Sequence, residues 1–139
     1  MVKKKNRKFS TKLKKINKNL KIFEAKYTPT NLKNFNRKNK FLFFAGLGNP
    51  DEFERTLKKY KFKIKRKYIF PDHYKFSNLE INEMKDKAKK EKLNILTTEK
   101  DYLRLNKKNK KNIKFLKINL KIINNKKFSN FLKENLWKN

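Results

Sequence analysis

The chain has 139 residues, with 42 Lys and Arg against 12 Asp and Glu, a formal net charge of +30, and only 36% hydrophobic residues. A chain of this size encloses one modest core rather than two. The absence of cysteine excludes disulfides and thiolate metal sites and fits a reducing compartment. No run of about 18 apolar residues is available to span a bilayer as a helix.

The charge favours anionic partners, whether nucleic acid, anionic lipid or a phosphorylated substrate. Only five of the basic residues are Arg: Arg7, Arg37, Arg55, Arg66 and Arg104. Base-reading surfaces rely on the arginine fork, so the Lys and Asn excess equally fits a bias towards A/T-rich codons.

In chain order, residues 1–8 are basic and read as a frayed N-terminus. They resemble the start of a secretory signal, but no apolar segment follows before Lys12, Lys14 and Lys15. Residues 9–139 then read as one α/β lobe. Phe9, Leu13, Ile16 and Leu20 form a helical stripe. Two readings of it stand: a core-facing helix, or a basic amphipathic helix on a membrane surface. Lys21–Tyr27 reads as a strand, ended by Thr28-Pro29-Thr30, and Asn31–Lys40 as an irregular polar connection. Phe41–Ala45 is a continuous apolar run, the pattern of a strand buried on both faces in a parallel sheet.

Gly46–Gly48 forms a turn. Asn49 is placed to cap a helix with Pro50 at its first position, Asp51 and Glu52 in its first turn, and Phe53, Leu57 and Tyr60 as its stripe. Lys61–Phe70 alternates like an edge strand. Ser77-Asn78-Leu79-Glu80 is a capping box opening a helix to about Lys92. Leu93–Thr97 is a short buried strand, Thr98 and Asp101 cap a helix through Leu105, and Asn106–Asn112 reads as a loop. Phe115–Leu120 is a further strand and Lys126–Trp137 a final helix. The alternation implies a mostly parallel sheet with flanking helices on both faces.

Three segments at strand-to-helix switches stand out. Gly46-Leu47-Gly48 suggests a nucleotide fingerprint, but the position for the third glycine is Asp51, and Asp51 and Glu52 occupy the helix N-terminus that a phosphate would use. The other reading is a tight turn needing positive φ. His73, beside Pro71 and Asp72 at a strand end, is the one side chain that normally titrates near neutral pH. It reads either as an incidental surface residue or as a catalytic one, and no second histidine exists to build a two-His metal site. In Thr97-Thr98-Glu99-Lys100-Asp101, capping accounts for Thr98 and Asp101. Thr97, Glu99 and Lys100 are left for a ligand or an interface.

The turn Gly46-Leu47-Gly48-Asn49-Pro50, the segment Phe70-Pro71-Asp72-His73-Tyr74 and the segment Thr97–Asp101, in this order, resemble the C-terminal half of the tetraacyldisaccharide 4'-kinase family. The likeness runs from about Ile16 to Leu136. It implies the C-terminal lobe of a P-loop kinase-type enzyme that, with ATP and Mg²⁺, phosphorylates the 4'-hydroxyl of a lipid A disaccharide precursor. Such an enzyme works at the cytoplasmic face of the inner membrane of Gram-negative bacteria. By the same resemblance His73 is the histidine of a catalytic dyad whose aspartate lies outside these residues, and Asp72 is its motif neighbour. Gly46, Gly48, Asn49 and Pro50 form a structural turn, and Thr98, Glu99, Lys100 and Asp101 line the cleft or an interface.

The family's phosphate-cradling loop and its D-D-G-F-Q segment do not occur here, and Gly46 and Gly48 are the only glycines. The expectation is therefore a fragment, inactive alone, whose partners are an N-terminal P-loop lobe, the lipid precursor and an anionic membrane surface. The alternative is a small basic nucleic-acid-binding protein. Without a recognised RNA motif, nucleic acid is expected to bind it only non-specifically.

Overall fold

The computed structural model describes residues 2–136. It divides into two compact units, Tyr27–Asn119 and the two terminal segments Met1–Lys26 with Leu120–Asn139.

In the smaller unit, α1 spans Val2–Ile16 and α6 spans Asn125–Leu136. Helix α1 begins within the stretch expected to fray, because Lys is a good helix former and nothing before Asn17 breaks the pattern. Its stripe is not core: Phe9 and Ile16 are 64% and 84% exposed. Phe23 does find partners, at 5.0 Å from Phe128 and 5.2 Å from Phe131 on α6. The predicted last helical residue, Trp137, lies outside the described residues. Strand β1 (Ala25–Pro29) and strand β6 (Ile118–Ile122) pair as a two-stranded sheet. The single strand expected over Phe115–Leu120 is thus two, broken at Lys117.

The larger unit is built on a four-stranded parallel sheet in the order β3-β2-β4-β5. The strands are β2 (Lys40–Gly46), β3 (Lys63–Phe70), β4 (Asn94–Thr98) and β5 (Ile113–Leu116). Strand β2 is central and buried from Phe41 to Gly46, which is why its run shows no alternation. Helix α2 (Pro50–Lys59) lies on one face, with Phe53 and Leu57 packed among Phe41, Phe43, Ala45, Leu96 and Leu116. Helix α3 (Asn78–Lys90) covers the other, with Ile81, Met84 and Ala88 against Leu42, Phe44, Ile95 and Ile113. The Ser77–Glu80 capping box is present in full. The polar connection before β2 contributes Phe35 to the core, edge-on to Phe62 at 5.3 Å. Helices α4 (Glu99–Arg104) and α5 (Lys107–Lys110) follow β4; α5, capped by Asn106, occupies what reads as a loop.

Strand β3 is the expected edge, with an irregularity the alternation does not reveal. Phe41 pairs with Ile64 but Leu42 pairs with Arg66, so Lys65 is an extra residue. Side-chain direction alternates along a strand, and one inserted residue reverses it. Ile64 therefore packs on the α2 face, whereas Tyr68 and Phe70 pack on the α3 face. That shift delivers Phe70 to the cluster beside Pro71–Tyr74, stacked on Tyr74 at 4.7 Å.

Candidate functional site

The chain leaves β2 for the edge strand β3 through α2, then returns past β2 to β4 through α3 on the opposite face. Connections therefore diverge at the carboxyl ends of β2 and β4, the place where open parallel sheets form a ligand crevice. All three singled-out segments meet there.

Asp101 is fully buried and ties the first segment to the third. Its Oδ2 accepts the Gly46 N–H at 3.1 Å and the Thr98 hydroxyl at 2.7 Å. The Asp101 N–H in turn donates to Thr98 Oγ1 at 3.1 Å, capping α4. The Thr97 hydroxyl donates to the Phe44 carbonyl at 2.8 Å, stitching β4 to β2. The residues that capping leaves open also make contacts within the fold. Thr97 is a strand tie, Glu99 pairs with Lys117 at 3.4 Å, and Lys100 reaches across the strand ends. The Lys100 ammonium donates to the Gly46 carbonyl at 2.8 Å and to Asp72 Oδ1 at 2.6 Å.

The glycine turn differs from its expected basis. Neither glycine has positive φ. Gly46 is needed for close approach instead, since a Cβ there would sit 3.0 Å from the Pro71 carbonyl oxygen and 3.4 Å from Tyr74 Cβ. Gly46→Ala is expected to push the Pro71–Tyr74 turn outward and cost about 1–3 kcal/mol, read as a lowered urea midpoint. At Gly48 an added Cβ meets only Asp72 Oδ2, at 3.7 Å, which is ordinary contact. Asn49 holds the N-cap position of α2 but its side chain makes no capping bond, so Pro50 and the acidic first turn start that helix.

Within these three segments the positive φ lies at His73, at 60°; Lys61, Lys92 and Asn112 elsewhere share that conformation. Pro71–Tyr74 is a turn closed by the Tyr74 N–H to the Pro71 carbonyl at 3.3 Å. Its third residue is one where glycine or asparagine is usual when φ is positive. The imidazole is 82% exposed, with Nε2 at 3.7 Å from Asp72 Oδ2. The His73 N–H donates to Asp72 Oδ1 at 2.9 Å, and the His73 carbonyl accepts from Arg104 Nη2 at 2.7 Å. Arg104 is a site residue without a motif to announce it; its one signal is a spacing of four from Lys100 on one helix. Beside the turn, the Tyr74 hydroxyl donates to Glu80 Oε1 at 2.5 Å, joining the turn to the start of α3.

Charge follows this geometry. The hydrogen bond from Lys100, followed by that from the His73 N–H, holds the Asp72 carboxyl below its ordinary value. Glu80 is lowered first by Tyr74 and then by Ser77, and Tyr74 is raised by Glu80. A carboxyl depressed by folding contributes stability that is present above its unfolded pKa and disappears as pH falls through the folded one. Thermal midpoints are therefore expected to drop below about pH 4, and Lys100→Met to reduce the Asp72 share of that drop.

The described residues do not fit a nucleotide's phosphates or a divalent metal. Asp51 and Glu52 stand in the first turn of α2, and no three His, Asp or Glu side chains gather as ligands among the described residues. The aromatic residues of β2 are buried, as are Phe53 and Phe62, so these rings are not free to stack on bases.

A sequence model of the family described as tetraacyldisaccharide-1-P 4'-kinase matches residues 1–137. The tetraacyldisaccharide 4'-kinase of Pelagibacter ubique is 41% identical over 120 residues, covering 86% of this chain and 38% of that protein. The protein of the same name from Rickettsia akari is 35% identical over 104 residues, covering 75% and 31%. The chain thus spans well under half the length of the curated relatives it matches. A crystal structure of LpxK from Aquifex aeolicus in complex with ATP shares the fold. Its TM-score is 0.52 at 21% identity, over 87% of this chain and 40% of that one.

Proposed function

The chain belongs to the tetraacyldisaccharide 4'-kinase family, and on that premise we propose that it serves as the C-terminal lobe of an enzyme that moves the γ-phosphate of ATP onto the 4'-hydroxyl of a lipid A disaccharide precursor. The observation that carries this reading is His73, exposed and held in a left-handed turn beside the crevice at the strand ends. A histidine in that place is suited to take a proton from the attacking hydroxyl through an aspartate of the complementary lobe. Asp72 holds the turn rather than the proton, since its carboxylate is engaged by Lys100 and the His73 N–H.

Phosphoryl transfer rests mainly on positioning and charge neutralisation. ATP and Mg²⁺ are assigned to an N-terminal P-loop lobe, because the described residues here do not fit them, and the chain alone is expected to be inactive. The lysines of α1 with exposed Phe9 and Ile16 support contact with an anionic bilayer, and so a peripheral location at the cytoplasmic face of the inner membrane.

Mixing this chain with the N-terminal part of the Pelagibacter ubique relative, labelled ATP and the disaccharide precursor tests the reading. Labelled lipid is expected only when both halves are present. No product from the mixture, while the intact relative is active in the same assay, would sink it.

A further inference from the structure

We propose that Lys100 and Arg104, one turn apart on α4, are positioning residues that hold His73 in its left-handed conformation; the consequence for turnover rests on the reading of His73 above. Residues with a Cβ rarely keep a positive φ unless their surroundings enforce it. The His73 side chain holds little by itself, being 82% exposed with only Asp72 Oδ2 near its Nε2, at 3.7 Å. What remains is the backbone, and both of its polar groups are tied to α4. The carbonyl accepts directly from Arg104 Nη2 at 2.7 Å. The N–H donates to Asp72 Oδ1, and that same oxygen accepts from the Lys100 ammonium at 2.6 Å.

Two cations four residues apart share one face of a helix, and here they grip the two sides of one Cα. Their own footing is firm. Lys100 also bonds the Gly46 carbonyl, and the next residue, Asp101, is buried and bonded to Gly46 N and Thr98. Position is thus passed from the buried ends of β2 and β4, through α4, to the exposed imidazole. Releasing the grip lets His73 relax to negative φ, which redirects its Cα–Cβ bond.

The test compares Lys100→Met, Arg104→Met, the double variant and Lys100→Arg, with Lys63→Met as a charge control. On this chain alone, labelled at histidine nitrogen, the His73 amide shift and its three-bond coupling to Hα report φ. The double variant is expected to remain folded by circular dichroism, to move both signals, and to regain part of the wild-type signal when Arg replaces Lys100 alone. In the two-half enzyme, kcat is expected to fall about 100-fold in the double variant, with the KM for ATP unchanged. Unchanged His73 signals in a folded double variant overturn the clamp. Moved signals with unchanged kcat uphold the clamp and overturn the proton-transfer reading of His73 instead.

Discussion

Asp101→Ala is expected to be strongly destabilising, lowering the stability of the larger unit by about 2–4 kcal/mol. The carboxylate is fully buried, and it is the acceptor for the Gly46 N–H and the Thr98 hydroxyl. Alanine leaves both donors without a partner in a site too enclosed for ready solvation. Each orphaned group costs about 1–3 kcal/mol, and bonds to a charged acceptor sit at the upper end. Asp101→Asn keeps an oxygen facing the same donors and should lose much less. Urea unfolding monitored by circular dichroism decides the matter, since a lower midpoint at constant slope reports stability alone. A loss below about 1 kcal/mol for alanine would mean that water replaces the carboxylate and that the ends of β2 and β4 are joined by something else.

His73→Ala carries the second large effect, on chemistry and not on folding. In the two-half enzyme kcat is expected to drop about 10²–10⁴-fold, the usual range for a general acid or base, with ATP affinity retained. The same position offers an internal control, because its φ of 60° is strained for any residue with a Cβ. His73→Gly should abolish turnover equally while leaving stability unchanged or raising it by about 1 kcal/mol. Parallel loss of ATP binding and turnover in His73→Ala would count against the assignment.

Much of this site is legible in the chain as written. Ser77 with Glu80 and Thr98 with Asp101 are local capping patterns, and both form as their spacing indicates. The unbroken apolar run at Phe41–Ala45 requires burial on both faces, and β2 is the central strand. The three segments converge because each ends a strand of one parallel sheet, and such ends all lie on one side.

Other features depend on neighbours distant in sequence. Gly46 reads as a turn glycine, yet its need for a bare Cα comes from the Pro71 carbonyl, a residue 25 positions later whose approach no local pattern records. The extra residue at Lys65 is invisible in a run of alternating lysines, but it decides which face receives Tyr68 and Phe70. The stripe Phe9–Leu20 has helical spacing, and α1 is a helix through Ile16, but periodicity says only that one face is apolar, not what covers it.

The sequence by itself determined the class of fold, the caps at Ser77 and Thr98, the buried central strand and the family, because these follow from residue types at short spacings. The tertiary structure decided which side chains meet. Lys100 on Asp72, Arg104 on the His73 carbonyl and Asp101 beneath Gly46 span 28, 31 and 55 residues of chain. Contacts at that range arise when a sheet brings its strand ends together, and only the folded arrangement reveals them.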